Sequence, residues 1–202
     1  MIVIGLTGSI AMGKSTVAKQ FAKLGAAVCD SDHLVHALLA EGGEGVSEVG
    51  KIFPQAREGN HINRRALAKA VFGDEEKLKR LETILHPLVR RGQDRFIRLA
   101  RRHGKRIVIL DIPLLFETQG EERVDFTVVA TAPSFLQRRR VMKRMHMSEE
   151  KFANILKRQM KDSEKRARAD FVVHTGLGLR ASLNEVRRIL ARICKKYAIA
   201  VA

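Results

Sequence analysis

Tryptophan, tyrosine and cysteine are the scarcest residues of this 202-residue chain, which has no Trp, one Tyr and two Cys. Cys29 and Cys194 are far apart, they form no Cys-x-x-Cys motif, and neither has a histidine beside it. This favours two buried, reduced thiols over a disulfide or a zinc site. The shortage of aromatic rings also disfavours a protein that binds single-stranded nucleic acid by stacking its bases.

Long apolar runs and a basic leader are missing too. No stretch approaches the roughly 20 apolar residues of a membrane span, and Gly5 and Gly8 interrupt the first apolar segment. We therefore expect a cytoplasmic protein with no membrane partner. The chain has no internal repeat, low-complexity tract or linker, and 45% of its residues are hydrophobic. One sizeable core and a single α/β domain with insertions follow.

Positive charge is what the chain has in excess, with 38 Lys and Arg against 22 Asp and Glu and a net charge of +16. Residues 138–168 hold 12 of these cations and only 4 acidic residues. A second group lies on one face of a predicted helix and comprises Arg91, Arg95, Arg98 and Arg102. Such stripes favour a polyanionic partner, with a merely solvated surface as the alternative. No nucleic-acid-binding module is recognisable, so we do not expect nucleic acid as the partner.

The most informative segment is residues 8–15, which read Gly-Ser-Ile-Ala-Met-Gly-Lys-Ser. This is the spacing of a phosphate-binding loop (P-loop), and it stands between a predicted strand at 2–4 and a predicted helix at 15–24. In such a loop backbone N–H groups wrap a phosphate, Lys14 reaches the outer phosphates and Ser15 ligates Mg²⁺. The sequence therefore predicts binding of a nucleoside triphosphate.

Two aspartates follow the second predicted strand, at 26–29. Strand alternation places Asp30 and Asp32 on one side, and ligands of open α/β sheets bind at the carboxyl ends of strands. A carboxylate there can accept or orient the proton of an attacking hydroxyl group. Aspartate also caps helices, and a helix is predicted at 34–39. The two roles stand equal on spacing alone, and each residue can hold one.

A central parallel strand is predicted at 106–111, where a continuous apolar run ends in Asp111. This carboxylate resembles a Walker B aspartate, which holds Mg²⁺ directly or through water beside the P-loop hydroxyl. Pro113 ends the strand, and further strands are predicted at 126–130 and 171–173.

Helices alternate with these strands, which predicts a parallel sheet with helices on both faces and a helical insertion at about 34–103. Pro133 marks the start of a helix that runs through Arg144, and Ser148 is the predicted N-cap of the next helix. Ser182 and Glu185 have the spacing of a capping box for a last helix that ends near Tyr197.

Five segments occur in an order and spacing more specific than a P-loop alone. They are 5–10 together with 13–16, 29–32 (Cys-Asp-Ser-Asp), 64–67 (Arg-Arg-Ala-Leu), 85–89 (Leu-His-Pro-Leu-Val) and 113–117 (Pro-Leu-Leu-Phe-Glu). With them the chain resembles the dephospho-CoA kinase family over nearly its whole length. The resemblance implies ATP-dependent phosphorylation of the ribose 3′-hydroxyl of dephospho-CoA, the last step of coenzyme A biosynthesis, giving CoA and ADP with Mg²⁺ as cofactor.

The same resemblance implies the domain organisation and the partners. One P-loop kinase domain would consist of a core (1–33, 104–136 and 168–202), a helical CoA-binding insertion (34–103) and a helical lid (137–167). Its partners would be ATP and dephospho-CoA, and the chain would be a monomer or a small homo-oligomer.

Site residues follow from the resemblance position by position. Asp32 aligns with the carboxylate beside the acceptor hydroxyl and is the candidate base or orienting group. Arg140 and Arg144, one helical turn apart, are the candidate lid arginines that close over the phosphates. The implied ATP site comprises Gly8, Ala11, Met12, Gly13, Lys14, Ser15 and Thr16, with Ser15 and, through water, Asp111 as Mg²⁺ ligands.

Three more residues, Arg65, His86 and Arg90, are implied to face the acceptor and its pyrophosphate. His86 precedes Pro87, and capping of a helix is an equally weighted alternative for it. Gln159 also matches a family position, although an exposed glutamine there would be unremarkable.

Two positions depart from the family pattern. Where the family usually has glycine and a small hydroxyl residue, this chain has Ala11 and Met12. We therefore expect that neither position requires a positive φ. After the last strand the family commonly has Asn-Gly, whereas this chain has His174, Thr175 and Gly176, which leaves the adenine contacts unassigned.

Two alternative functions remain at this point. A related P-loop kinase that phosphorylates a nucleoside or nucleotide would share the lid arginines and the acceptor-side aspartate. A nucleic-acid-binding NTPase would explain the net charge of +16, and it predicts hydrolysis that duplex or RNA stimulates and binding that depends steeply on salt.

Overall fold

Residues 1–145 and 147–198 are described by a computed structural model of the chain. His146, in the predicted lid, and residues 199–202, in the predicted core, lie outside them. The chain divides into two units, the first made of Met1–Cys29 and Ala100–Ala202 and the second of Asp30–Leu99.

The strands of the described residues are β1 (Ile2–Thr7), β2 (Ala27–Asp30), β3 (Arg57–Glu58), β4 (His61–Ile62), β5 (Ile107–Asp111), β6 (Phe126–Thr131) and β7 (Phe171–His174). Five of them form one sheet in the order β2-β5-β1-β6-β7, and β1 pairs in parallel with both β5 and β6. Because β6 and β7 are also parallel, the carboxyl ends of β5, β1, β6 and β7 meet at one edge. This confirms the predicted parallel sheet.

The helices are α1 (Lys14–Lys23), α2 (Ser31–Leu39), α3 (Val46–Ile52), α4 (Arg64–Val71), α5 (Glu75–Arg102), α6 (Ser134–Met142), α7 (Glu149–Arg158), α8 (Asp162–Arg168) and α9 (Leu179–Lys196). In the parts of the chain that the structure describes, no helix is long and apolar enough to cross a bilayer. Cys29 and Cys194 are buried and form no disulfide, as predicted.

The core of the first unit joins the central strands to α1 and α9. Alternate residues of β1 share one face of the sheet, and its buried members Ile4 and Leu6 belong to the same cluster as Phe21 of α1 and Ile193 of α9. These apolar contacts fix α1 directly after β1, so the loop between them has a defined place at the sheet edge.

The second unit has its own apolar core, formed mainly by its helices, with Val49, Leu67 and Leu85 among the buried members, together with Phe53 directly after α3. It is mainly helical, as predicted, but β3 and β4 add a short antiparallel hairpin that the sequence analysis missed. Asp74 precedes α5, and the hydrogen bond from the Lys77 side chain lowers the pKa of its carboxyl group.

The predicted capping box of the last helix is wrong. Helix α9 begins at Leu179 after Gly178, three residues before Ser182. Ser182 is buried and its hydroxyl accepts a hydrogen bond from Gln20 of α1, 2.9 Å away. Glu185 accepts the backbone N–H of His174, 2.6 Å away. Both residues attach α9 to its neighbours instead of capping it.

Other helix boundaries follow the predicted signals more closely. Pro133 stands immediately before α6, Ser148 caps α7 by accepting the N–H of Lys151, and Tyr197 follows α9. Helix α6, however, ends at Met142, so its predicted extension through Arg144 is wrong.

Candidate active site

The P-loop runs from the end of β1 to Lys14, the first residue of α1. At two of its glycines there is no room for a side chain. A Cβ atom at Gly8 would lie 2.5 Å from the carbonyl oxygen of Ala130, and one at Gly13 would lie 2.7 Å from the Thr175 hydroxyl. The loop is therefore pressed against the end of β6 and against the turn after β7.

Ala11 has φ 59°, in the left-handed region, which contradicts the expectation that neither departure from the family pattern requires a positive φ. This conformation costs a residue with a Cβ atom about 1–2 kcal/mol. Met12 keeps a negative φ, so the expectation is wrong at Ala11 alone. The side chain of Met12 is buried, and its sulfur accepts the backbone N–H of Ala132 at 3.2 Å.

Lys14 and Asp111 form an ion pair between the end of the P-loop and the end of β5. Asp111 is 4% exposed and stands level with Leu6 in the sheet. Ser15, the next residue of α1, is exposed. A lysine, a carboxylate and a hydroxyl group thus come from adjacent segments, which suits the binding of phosphate and of a hard metal ion.

Thr175 connects the P-loop to the proposed lid. Its buried hydroxyl donates to the carbonyl of Met12 at 2.6 Å. Arg140 donates in turn to the Thr175 hydroxyl at 3.0 Å and to its carbonyl at 2.8 Å, and also to the Ala11 carbonyl at 3.3 Å. The sequence showed Thr175 only as a departure from the family pattern and did not predict this role.

Two glutamines hold the backbone of Ile10. The Ile10 N–H donates to Oε1 of Gln159, and Nε2 of Gln137 donates to the Ile10 carbonyl, both at 3.0 Å. Gln159 follows the last residue of α7, and Gln137 is buried in α6. Gln137 was not among the predicted site residues. Its sequence signal is only a glutamine in a predicted helix, one turn before the apolar Val141.

Arg144 does not share a helical face with Arg140, because it lies beyond the end of α6 and is exposed. Its role as a lid arginine stays a prediction without that geometric support. The other cations of the predicted lid segment differ widely in burial. Arg138 forms an exposed ion pair with Glu149, whereas Lys165 is fully buried and lies 2.8 Å from Glu117.

Asp30 and Asp32 take different positions in the second unit. Oδ1 of Asp30 accepts the N–H groups of Asp32 at 2.9 Å and of His33 at 3.1 Å, so Asp30 is the N-cap of α2. Asp32 lies in the first turn of that helix and is exposed. The structure therefore gives Asp30 the capping role and leaves the side chain of Asp32 available to a ligand.

The three predicted acceptor-side residues also belong to the second unit. Arg65 lies in the first turn of α4, whose N-cap is Asn63. His86 and Arg90 lie one turn apart on α5 and so share a face. Helix α5 continues through Pro87, and His86 is therefore inside the helix and does not cap it.

A metal site made of protein groups alone is not found: within 1–145 and 147–198, no three His, Cys, Asp or Glu side chains cluster so that they could hold an ion. Mg²⁺ does not need such a cage, because it keeps several waters and takes one or two protein oxygens together with substrate phosphates. The Ser15 hydroxyl and the Asp111 carboxylate are oxygen donors of this kind.

Comparison with known proteins gives consistent results. The sequence profile of the dephospho-CoA kinase family matches residues 2–179. A dephospho-CoA kinase of Mesorhizobium japonicum is 50% identical over 94% of this chain and 95% of its own length. That of Bartonella henselae is 46% identical over 96% of this chain and 100% of its own length.

Solved structures agree with the sequence relatives. A crystal structure from Thermus thermophilus has a TM-score of 0.81 and 38% identity, covering 95% of this chain and 97% of that one. A dephospho-CoA kinase from Campylobacter jejuni has a TM-score of 0.63 and 26% identity, covering 95% of this chain and 96% of that one. A shikimate kinase from Acinetobacter baumannii, at 21% identity and a TM-score of 0.52 over 97% of this chain and 94% of that one, shares the fold.

Proposed function

Because the chain belongs to the dephospho-CoA kinase family, we propose that the site around Lys14 transfers the γ-phosphoryl group of ATP to the ribose 3′-hydroxyl of dephospho-CoA. The products are CoA and ADP, and the reaction is the last step of coenzyme A biosynthesis. The observation that carries this activity is the match to the family over most of the chain. The P-loop geometry supplies the chemistry.

On the ATP side, catalysis rests on positioning and neutralisation of charge. Phosphoryl transfer has a loose transition state with negative charge spread over the transferred oxygens, so fixed donors and cations stabilise it more than proton abstraction does. The phosphates are bound by backbone amides of the P-loop and of the first turn of α1. The residues of this ATP site are Gly8, Ala11, Met12, Gly13, Lys14, Ser15 and Thr16. The Lys14 ammonium group exchanges its Asp111 partner for the outer phosphates.

The residues present fit Mg²⁺ as the cofactor. Ser15 would hold the ion through its hydroxyl group and Asp111 through its carboxylate or an intervening water. When bound, Mg²⁺ neutralises charge on the β- and γ-phosphate oxygens.

On the acceptor side, Asp32 orients the 3′-hydroxyl group and accepts its proton. One observation supports Asp32 over Asp30: both residues are exposed, but the carboxylate of Asp30 is engaged as the helix N-cap. Arg65, His86 and Arg90 are proposed to contact dephospho-CoA, since guanidinium and imidazole groups can donate hydrogen bonds to its pyrophosphate and ribose oxygens.

The segment at 137–167 is proposed to be the lid, with Arg140 and Arg144 facing the transferred phosphoryl group. The hydrogen bonds of Arg140 to the Ala11 and Thr175 carbonyls keep its guanidinium group beside the P-loop. A phosphate oxygen is a stronger acceptor than a carbonyl, so ATP can recruit this side chain.

ATP and dephospho-CoA are the proposed partners, without nucleic acid or membrane, and the working form is proposed to be a monomer or small homo-oligomer. We place the enzyme in the cytoplasm, where ATP and Mg²⁺ are supplied. The buried thiols of Cys29 and Cys194, which form no disulfide, suit the reducing conditions of that compartment.

The deciding experiment incubates the purified protein with dephospho-CoA, ATP and Mg²⁺ and measures both products, CoA and ADP, by chromatography. We expect ADP and CoA in equal amounts. Nucleosides and nucleoside monophosphates serve as control acceptors, since a related nucleoside or nucleotide kinase would prefer them. Turnover of those acceptors without CoA formation would overturn the proposal.

A further inference from the structure

The backbone on both sides of Ala11 is held by side chains of α6. Gln137 donates to the Ile10 carbonyl at 3.0 Å, and Arg140 donates to the Ala11 carbonyl at 3.3 Å. These two residues are three positions apart and share one face of α6. Gln159, from the end of α7, accepts the Ile10 N–H at 3.0 Å. Three consecutive peptide groups of the P-loop are thus bound by residues of the proposed lid segment.

These contacts fall where the P-loop is strained. The Ile10 carbonyl belongs to the peptide group that precedes Ala11, and the orientation of that group sets the φ of Ala11, which is 59°. Alanine avoids this conformation in the absence of support, whereas glycine adopts it freely. A donor fixed at the Ile10 carbonyl therefore selects the left-handed conformation. Gln137 is 6% exposed, so water competes little for this bond.

We propose that Gln137 and Gln159 are positioning residues that hold Ile10 and thereby keep Ala11, and the amides after it, in the phosphate-binding conformation. Neither side chain carries charge, so neither neutralises the phosphates. Their contribution is to the geometry of a loop that has alanine at a position that requires a positive φ. The inference rests on the proposed function only in that the P-loop binds the phosphates of ATP.

The test is a double-mutant cycle with Ala11→Gly. Gln→Met keeps the side-chain volume and removes the amide, so Gln137→Met and Gln159→Met each delete one hydrogen bond to Ile10. With Ala11 in place we expect each to weaken the affinity for a non-hydrolysable ATP analogue by about three- to tenfold, the usual range for one hydrogen bond. In the Ala11→Gly background each Gln→Met substitution should change the logarithm of the dissociation constant for the analogue by less than half as much. Glycine adopts φ 59° without support from these hydrogen bonds.

Gln55→Met is the matched control, because Gln55 is exposed and lies in the other unit. It should leave the affinity unchanged in both backgrounds. Hydrogen exchange of the amides at 10–14 gives a second readout. Exchange should be faster in the two Gln variants, and adding Ala11→Gly to either of them should restore the rate of the Ala11→Gly single variant. The KM for dephospho-CoA should stay constant throughout.

Equal losses of affinity with and without Ala11→Gly would overturn the inference, as would a loss of global stability without a change in affinity. The nucleotide-binding cycle is independent of the acceptor. A chain that binds the ATP analogue but makes no CoA would contradict the proposed function and leave this inference standing.

Discussion

Lys14 is the residue on which the ATP side of the site depends, since it pairs with Asp111 and stands at the start of α1. Lys14→Ala should abolish CoA formation while unfolding remains cooperative. Loss of a contact that strengthens in the transition state should raise the barrier by about 3 kcal/mol or more, roughly a 150-fold loss of kcat or greater. Steady-state kinetics and a denaturant titration measure the two effects. A near-normal kcat would contradict the P-loop assignment.

Asp32 and Asp30 offer a matched comparison two residues apart. Asp32→Asn should lower kcat by about two or more orders of magnitude, the scale of general-base or orienting contributions, with little change in ATP affinity. Asp30→Asn should keep both activity and fold, because asparagine caps helices as well as aspartate does. Kinetics and calorimetric ATP binding distinguish the two. The reverse pattern would assign the acceptor-side role to Asp30.

Lys165 makes a buried ion pair whose removal should affect stability strongly. Its side chain is 0% exposed, and its ammonium group lies 2.8 Å from Oε1 of Glu117. Glu117 also accepts the N–H of Met160 at 2.8 Å. Lys165→Met leaves a buried carboxylate without its cation, which should lower the free energy of unfolding by about 3–5 kcal/mol. Urea denaturation measures this change.

The exposed pair of Arg138 with Glu149 provides the control for that prediction. Arg138→Met should cost less than about 1 kcal/mol, because solvent screens the pair. Replacing Glu117 by leucine in the Lys165→Met background should recover part of the lost stability, because no unpaired carboxylate remains buried. Similar losses from Lys165→Met and Arg138→Met would contradict the buried-pair argument.

Helices α6, α7 and α8 lie almost entirely within residues 138–168, which hold 12 Lys and Arg against 4 Asp and Glu. The self-repulsion of that charge predicts a lid that orders when phosphates bind. The three helices have different partners in the structure. Helix α8 is attached away from the P-loop, through Lys165 and through the bond from Thr131 to Asp162, whereas α6 and the end of α7 contact the P-loop through Gln137 and Gln159. Because nucleotide binds at that loop, we expect a non-hydrolysable ATP analogue with Mg²⁺ to slow hydrogen exchange in α6 and α7, and to change α8 little. Equal exchange with and without nucleotide would contradict the lid.

Elements with strong periodicity were predictable from the sequence, and those set by tertiary contacts were not. Apolar runs predicted β1, β5, β6 and β7 to within a few residues. Ser182 and Glu185 have the spacing of a capping box, but their partners Gln20 and His174 come from other elements of the chain. Local spacing carries no information about such partners.

The site shows the same division. The P-loop spacing placed Lys14 and Ser15 correctly at the start of α1. The left-handed conformation of Ala11 could not be predicted, because its support comes from side chains more than a hundred positions away, Gln137 and Arg140. The end of α6 before Arg144 had no sequence signal, since that stretch contains neither glycine nor proline.

For the whole molecule, the net charge of +16 is distributed unequally between the units. The first unit has 26 Lys and Arg against 11 Asp and Glu, and the second has 12 against 11. Almost all of the excess therefore lies in the unit that contains the P-loop. A positive field there raises the local concentration of anionic nucleotides and their association rate.

This distribution suits a kinase of small anions, and it gives a test against a nucleic-acid-stimulated NTPase. Adding RNA or duplex DNA at about 150 mM salt should leave ATP hydrolysis unstimulated and CoA formation unchanged, since salt screens weak contacts to the polymer. Coupled assays of ADP and CoA formation measure both rates. Hydrolysis that rises several-fold with RNA would support the NTPase alternative.

The sulfur of Met12 has a consequence for oxidative damage. A thioether that accepts the Ala132 N–H from within the P-loop is chemically oxidisable, and a sulfoxide would add a polar oxygen where only 3% of the residue is exposed. Peroxide reaches exposed methionines first, and Met145 is 86% exposed. Met145 should therefore be oxidised before Met12. Peroxide can reach the sulfur of Met12 only when the P-loop opens.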